Sequence, residues 1–189
     1  MSVDVLSGGF ADTPVQSAHA FRHILEAMAR PGTIRTVAGA TPPAPLSVAA
    51  GVALLTLADG TTPLHLAGAA DCSPVRHWIA FHIGAPLVAA ADADFAVGTW
   101  DALQPVSRFR IGQPDYPDRS ATLIVAVDRL TNQGPCLTGP GIATGIWLSL
   151  PETAAFRANR ACFPLGFDCI FTWRDRLAGL PRSTRVEAI

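Results

Sequence analysis

Phe163-Pro164-Leu165-Gly166-Phe167-Asp168-Cys169-Ile170-Phe171-Thr172-Trp173-Arg174-Asp175-Arg176-Leu177-Ala178-Gly179-Leu180-Pro181-Arg182-Ser183-Thr184 is the stretch whose reading decides the architecture. Pro164 and Gly166 punctuate its start. Strand-forming residues run from Phe167 to Trp173, broken only by Asp168 and Cys169. Arg174-Asp175 makes a turn, a second run goes from Leu177 to Leu180, and Pro181 ends it. This is the pattern of a β-hairpin. It places the Asp168 carboxylate near the start of one strand. The Arg182 guanidinium and the Ser183 and Thr184 hydroxyls then fall just past the end of the other. Charge and hydroxyls at strand ends are where α/β folds put sites, and they are also ordinary ways to end a strand. Both readings stand at this level.

Upstream, helices and strands are interspersed. Residues 1–12 read as a flexible N-terminal arm before one domain over 13–189. Thr13-Pro14 reads as a cap followed by Pro at the first helical position, opening a helix to about Arg30. Ala18, Phe21, Ile24, Leu25 and Met28 line its expected core face, with His19, His23, Glu26 and Arg30 opposite. His19 and His23 have zinc-ligand spacing but lack the intervening Glu of His-Glu-x-x-His, so they read as a solvated face. Thr33 to Ala38 is a strand. Ser47 caps a second helix through Ala58 that is apolar nearly all round and therefore buried. Leu64-His65-Leu66 is a short strand, and Ser73-Pro74 repeats the cap-then-Pro signal. The helix that follows carries Val75, Trp78 and His82 on one face. A His on an apolar face is more often a hydrogen-bonded core or interface residue than a catalyst.

Pro86 to Val88 and Phe95 to Gly98 read as strand pieces, Trp100 to Leu103 as a helical turn, and Gly112 to Asp118 as a rigid loop. Leu123 to Val127 is a continuous apolar run, expected as a central strand covered on both faces. In Leu137-Thr138-Gly139-Pro140-Gly141-Ile142, the Gly139 and Gly141 backbone can approach an anion or simply form a tight turn. Ile146 to Leu150 is another strand candidate. Pro151 opens a helix to about Cys162, with Glu152 at its positive end. Together these elements predict a single-domain α/β layered sandwich, a mixed β-sheet flanked by helices.

Composition narrows the chemistry. The chain has 189 residues, is 49% hydrophobic and only 15% charged, against about 25% in an average domain. A surface this poor in charge exposes apolar area and implies a partner. Net charge is −1 and there is no basic tract, so nothing points to nucleic acid. No apolar run approaches the ~18 residues that span a bilayer. The opening residues have no basic region followed by an apolar run, so no signal peptide is expected. All 14 basic residues are Arg. Without Lys the chain can supply neither a pyridoxal phosphate Schiff base nor a Walker-type P-loop. Arg is well suited to gripping phosphate or carboxylate. Cys72, Cys136, Cys162 and Cys169 make no Cys-x-x-Cys pair, so they are expected to be free thiols of a cytoplasmic protein, with no metal.

Seven blocks follow one another along the chain: Phe21-Arg22-x-x-Leu25-x-Ala27-Met28-x-x-Pro31-Gly32, Leu54-Leu55-Thr56-Leu57-x-Asp59-x-x-Thr62-Pro63, Phe81-His82-x-x-Ala85-Pro86-Leu87-Val88, Ser120-Ala121-Thr122-Leu123, Leu137 to Ile142, Phe163 to Asp168 and Leu180 to Thr184. In this order they resemble the PhnH family of the carbon–phosphorus lyase system. The resemblance implies a fold like that of pyridoxal phosphate-dependent transferases with the cofactor site lost, and so no cofactor in this subunit. It implies a homodimer in isolation, and in the cell a complex with PhnG-, PhnI- and PhnJ-like subunits, docked mainly on the PhnI-like one. It implies a role, with PhnG-, PhnI- and PhnL-like partners, in displacing the adenine of MgATP by a phosphonate, the alpha-D-ribose 1-methylphosphonate 5-triphosphate synthase reaction. The PhnJ-like subunit later cleaves the carbon–phosphorus bond. Ser183 stands where the family pattern leads one to expect Thr, and the 104–119 segment is short. The resemblance transfers no catalytic residue.

On chemistry alone, Arg182 with Ser183 and Thr184 is a candidate oxyanion grip, and the Gly139–Gly141 amides a second. Asp168 can orient Arg182, and His82 can supply a proton. The competing reading gives these residues a subunit interface or the fold. Three roles follow for the chain: a non-autonomous transferase subunit, a scaffold subunit, or a stand-alone enzyme on phosphorylated small molecules. Missing Lys, the lack of a nucleophile motif and low surface charge weigh against the last.

Overall fold

A computed structural model describes residues 7–187. In chain order the elements are α1 (Thr13–Ala29), β1 (Ile34–Thr36), α2 (Val48–Leu57), β2 (Leu64–Leu66), α3 (Ser73–His82), β3 (Phe95–Thr99), α4 (Trp100–Leu103), β4 (Ile111–Gln113), β5 (Tyr116–Ser120), β6 (Thr122–Ala126), β7 (Cys136–Thr138), β8 (Ile146–Trp147), α5 (Ala154–Ala161), β9 (Asp168–Trp173), β10 (Arg176–Leu180) and β11 (Arg185–Val186). The hairpin is β9–β10, closed by Arg174-Asp175, with Arg174 in the left-handed region at φ 53°. Its turn carbonyls are used: Arg174 accepts the Ala49 N–H at the start of α2 (2.9 Å), and Asp175 accepts the Val37 N–H (2.8 Å).

The main sheet has six strands in the order β1-β10-β9-β6-β3-β2. β2, β3, β6 and β9 run parallel to one another, and β10 runs antiparallel to both its neighbours, β9 and β1, so the sheet is mixed. The expected central strand is β6, between β3 and β9. Its side chains alternate: Ile124 joins the core under α1, α2 and α3, whereas Leu123 and Val125 join the opposite core. In β9, Ile170 and Phe171 divide in the same way. The second core is closed by α4, α5 and a three-stranded sheet, β11-β7-β8. A run apolar on both faces thus lies between two cores, which is why β6 shows no polar alternation.

Several local expectations are corrected. Asp12, not Thr13, caps α1, its carboxylate accepting from the Val15 N–H, so Pro14 takes the second helical position. The face α1 buries is Ala20, Ile24 and Ala27. Phe21 and Leu25, expected in the core, are 48% and 55% exposed. The helix carries two apolar stripes, and β10 and α2 pack against the small-residue one because it permits close approach: Gly179 lies against Ala27 and Met28. Ser73 is the first residue of α3 rather than its cap, and its hydroxyl faces His77 Nδ1 at 3.4 Å. Gly112 to Asp118 is no loop but the body of a two-stranded ribbon, β4–β5, turning at Pro114-Asp115. The strand expected over Ile146 to Leu150 is only Ile146–Trp147, and the following helix starts at Ala154 rather than Pro151. Ser47 caps α2 through the Ala50 N–H (3.1 Å), as the sequence predicts.

Of the arm expected over residues 1–12, positions 1–6 lie outside the described residues. Residues 7–12 lie on the domain: Gly8 O accepts the Thr41 N–H (2.8 Å), and Phe10 packs on the first core. Among the described residues no helix is long and apolar enough to cross a membrane.

Candidate functional site

The parallel strands enter the sheet in register at Phe95, Thr122 and Asp168, and this amino edge holds the Arg182 cluster. Pro181 ends β10 beside the start of β9 because the two strands are antiparallel, so the hairpin brings Arg182 back to Asp168. The Asp168 carboxylate accepts the Arg182 backbone N–H (2.8 Å) and Nε (3.1 Å), and its second oxygen is paired with Nη2. Nη1 donates to Pro117 O (2.6 Å) and Nη2 also to Ser120 Oγ. The pair is mostly buried, with side-chain exposures of 13% for Arg182 and 20% for Asp168. The guanidinium therefore joins three chain segments, the 117–120 strand, β9 and the end of β10, and most of its donors are engaged inside the chain. Next to Asp168, burial first and the Asp168 charge second push the Cys169 thiol well above its ordinary value.

The other sequence-level candidates separate. Thr184 is buried and its hydroxyl has no partner among the described residues; Ser183 is half-buried. Gly139 sits at φ 127° against this segment: a Cβ there would lie 3.3 Å from Ser183 O. Gly141, at φ 79°, lies where a Cβ would fall on Ala29 O, so the Gly139-Pro140-Gly141 turn is pressed onto the end of α1. His82 belongs elsewhere. Its Nε2 is 3.0 Å from Ser7 O, its ring packs beside Trp78 and Phe81, and Gly9 lies against Nδ1. Among the described residues no hydrogen bond joins His82 to the Arg182 cluster.

The opposite edge has its own feature. Where β3 and β6 end, at Thr99 and Ala126, a cleft of about 490 Å³ opens, lined by Asp101, Asp128, Arg129, Ser149 and Trp100 among others. The carboxyl ends of parallel strands are where open α/β sheets receive ligands, and the volume lies in the range of small-molecule sites, about 300–1,000 Å³. Its walls are fixed. Trp100 Nε1 donates to Glu152 Oε1 (2.8 Å), and Ser149 Oγ accepts the Thr131 N–H (3.0 Å) while donating to Arg129 O (3.2 Å). Asp101, Asp128 and Arg129 are exposed, and their side chains form no hydrogen bond or ion pair among the described residues. Two carboxylates and a guanidinium can accept from hydroxyls and hold an anion. The sequence signal for this cleft is Asp128-Arg129 directly after the apolar run, a charged pair that local pattern does not distinguish from an ordinary strand end.

Comparison with known proteins adds three findings. The profile of the PhnH family, described as "Bacterial phosphonate metabolism protein (PhnH)", matches residues 8–187. The alpha-D-ribose 1-methylphosphonate 5-triphosphate synthase subunit PhnH of Rhizobium meliloti (strain 1021) is 40% identical over 194 residues, covering 97% of this chain and 96% of that protein. The putative C-P lyase subunit protein HtxG of Stutzerimonas stutzeri is 28% identical over 185 residues, covering 89% of this chain and 84% of that one.

Proposed function

The chain belongs to the PhnH family of bacterial phosphonate metabolism proteins, and from that premise we propose that it is a non-autonomous subunit of a carbon–phosphorus lyase complex. Its task is in the synthase that joins a phosphonate to the ribose C1′ of MgATP and releases adenine. The observation that carries this reading is end-to-end similarity, 97% of one chain against 96% of the other, to a protein named as a subunit of that synthase. The surface supports it. Phe21 and Leu25 on α1, Phe81 on α3, Trp147 on β8 and Phe163 after α5 are all about half exposed in a chain with little surface charge. PhnG-, PhnI- and PhnJ-like subunits are the partners, the PhnI-like one the main contact, and a homodimer covers part of this surface in isolation. The protein acts in the cytoplasm. Its sheet is that of a pyridoxal phosphate-dependent transferase without the cofactor, a reading the absence of Lys supports.

Within this role the Arg182–Asp168 pair secures the fold next to the 117–120 strand, and His82 secures the N-terminal segment. The carboxyl-edge cleft of Asp101, Asp128 and Arg129 keeps side chains without hydrogen bonds or ion pairs among the described residues, and can meet the hydroxyls of a ligand. The test is purification of a tagged chain from cells growing on a phosphonate, with mass spectrometry of the co-purifying proteins. Stoichiometric PhnG-, PhnI- and PhnJ-like chains are expected. Recovery of the protein alone, or only as a homodimer, would refute the subunit role.

A further inference from the structure

Among the described residues five of the 14 arginines are ion-paired: Arg30 and Arg35 with Glu26, Arg76 with Asp71, Arg110 with Asp94, and Arg182 with Asp168. The other nine have no ion pair among the described residues, and three of those nine gather around one cleft between α5 and β11. A cleft of about 360 Å³ is lined by Arg157, Arg160 and Arg185 with Ala161 and Val186, and no carboxylate contributes to its lining. None of the three guanidiniums has an ion pair or a hydrogen-bonded acceptor among the described residues. Glu187, on the same exposed side as Arg185, forms no ion pair with it.

The elements hold this arrangement in place. Arg157 and Arg160 are three apart on α5 and share a face. Arg160 lies over the Phe163 ring, its Cζ 4.8 Å from the centroid, which limits where its guanidinium can go. Arg185 is fixed from the other side, because β11 pairs with β7, Arg185 opposite Thr138. Three positive charges around one cleft, without a counter-charge among the described residues, repel one another until an anion fills the space. A guanidinium fork takes two oxygens at once, so a single carboxylate is satisfied by one fork. Three forks suit an anion with many oxygens and more than one charge.

We infer that the Arg157–Arg160–Arg185 cleft is a binding site for a phosphate-type polyanion, two or more linked phosphate groups. The charge and placement of the three arginines carry the anion class; the choice of a triphosphate chain as the natural ligand rests on the function proposed above.

The full-length chain is titrated calorimetrically with inorganic tripolyphosphate, pyrophosphate and phosphate at low salt. Tripolyphosphate is expected to bind best and to weaken steeply as salt rises. Arg157→Gln and Arg185→Gln, both at exposed positions, should each weaken it at least tenfold while the ligand-free Tm stays put. Arg176→Gln, on β10, should leave binding unchanged. The inference is overturned if the wild-type chain binds none of the three anions, or if the two variants bind as tightly as wild type. Loss of equal size in Arg176→Gln also overturns it, since that is non-specific charge. If the anions do not bind but Arg157→Gln and Arg185→Gln fail to capture partner subunits, the cluster is a protein contact, and the subunit role stands without the anion site. If tripolyphosphate binds as expected but wild-type chain captures no subunits, the site stands and the subunit role falls.

Discussion

Asp168→Asn removes one negative charge from beneath a guanidinium that is 13% exposed and changes little else. The amide oxygen can still accept the Arg182 backbone N–H, 2.8 Å away in the native protein, so the end of β10 keeps its position. What disappears is the charge opposite Nε and Nη2. Arg182 is left with the neutral acceptors Pro117 O and Ser120 Oγ. Removing one partner of a buried pair costs about 3–5 kcal/mol, because the other charge stays buried and uncompensated. An exposed pair is worth about 0–1 kcal/mol. At 13% and 20% exposure this pair lies towards the buried limit, and its loss is set at about 3 kcal/mol. In a domain of this length that lowers Tm by about 6–12 °C. Urea unfolding of the purified chain measures it, with the slope m unchanged. The decisive comparison is the double variant with Arg182→Met, which removes the orphaned charge and should recover about 1 kcal/mol or more over Asp168→Asn alone. A loss below about 0.5 kcal/mol for Asp168→Asn, or a double variant that loses the plain sum of the two single losses, would refute the reasoning.

Leu25→Glu on the outer stripe of α1 is expected to leave stability within about 0.5 kcal/mol of wild type, since the side chain is more than half exposed. The same change should abolish capture of partner subunits or the homodimer, seen by co-purification and light scattering; intact assembly would show that the stripe is not a contact. Cys169 makes a pH prediction. Its thiol is held protonated in the folded state by burial and then by the Asp168 charge, whereas the unfolded thiol ionises near about pH 8.5. Above that pH the unfolded state binds fewer protons, so stability falls with rising pH by up to about 1.4 kcal/mol per unit from this group. Below it both states are protonated and the group contributes no slope. Cys169→Ala should flatten the alkaline part of a urea-midpoint profile, which no Lys complicates; an unchanged slope would count against the assignment.

The hairpin, the central strand and the α2 cap were legible because each is local. A two-residue turn between strand-forming runs, an apolar stretch without alternation and a Ser ahead of an apolar helix carry their meaning within a few residues. α1 was legible as a helix but not in its orientation. Phe21 and Leu25 outweigh Ala20 and Ala27 on any hydrophobic count, yet the alanine face lets the helix pack closely on β10, where Gly179 meets Ala27. The pairing of Asp168 with Arg182 followed from hairpin geometry. That Pro117 and Ser120 would share the guanidinium did not, because they lie 62 and more residues away.

By itself the sequence determined the α/β class, the order of most elements, the exclusion of Lys-dependent chemistry and the family, because these rest on local pattern, composition and blocks in order. Only the tertiary structure decided which charges are spent and which are free. Arg182 is engaged inside the fold, while Arg129 and the Arg157, Arg160 and Arg185 group have no counter-ions among the described residues. In one dimension all 14 arginines read alike. What separates them is which carboxylates and carbonyls the sheet brings within hydrogen-bonding distance, and that is set by strand order and crossing chains rather than by neighbours in sequence.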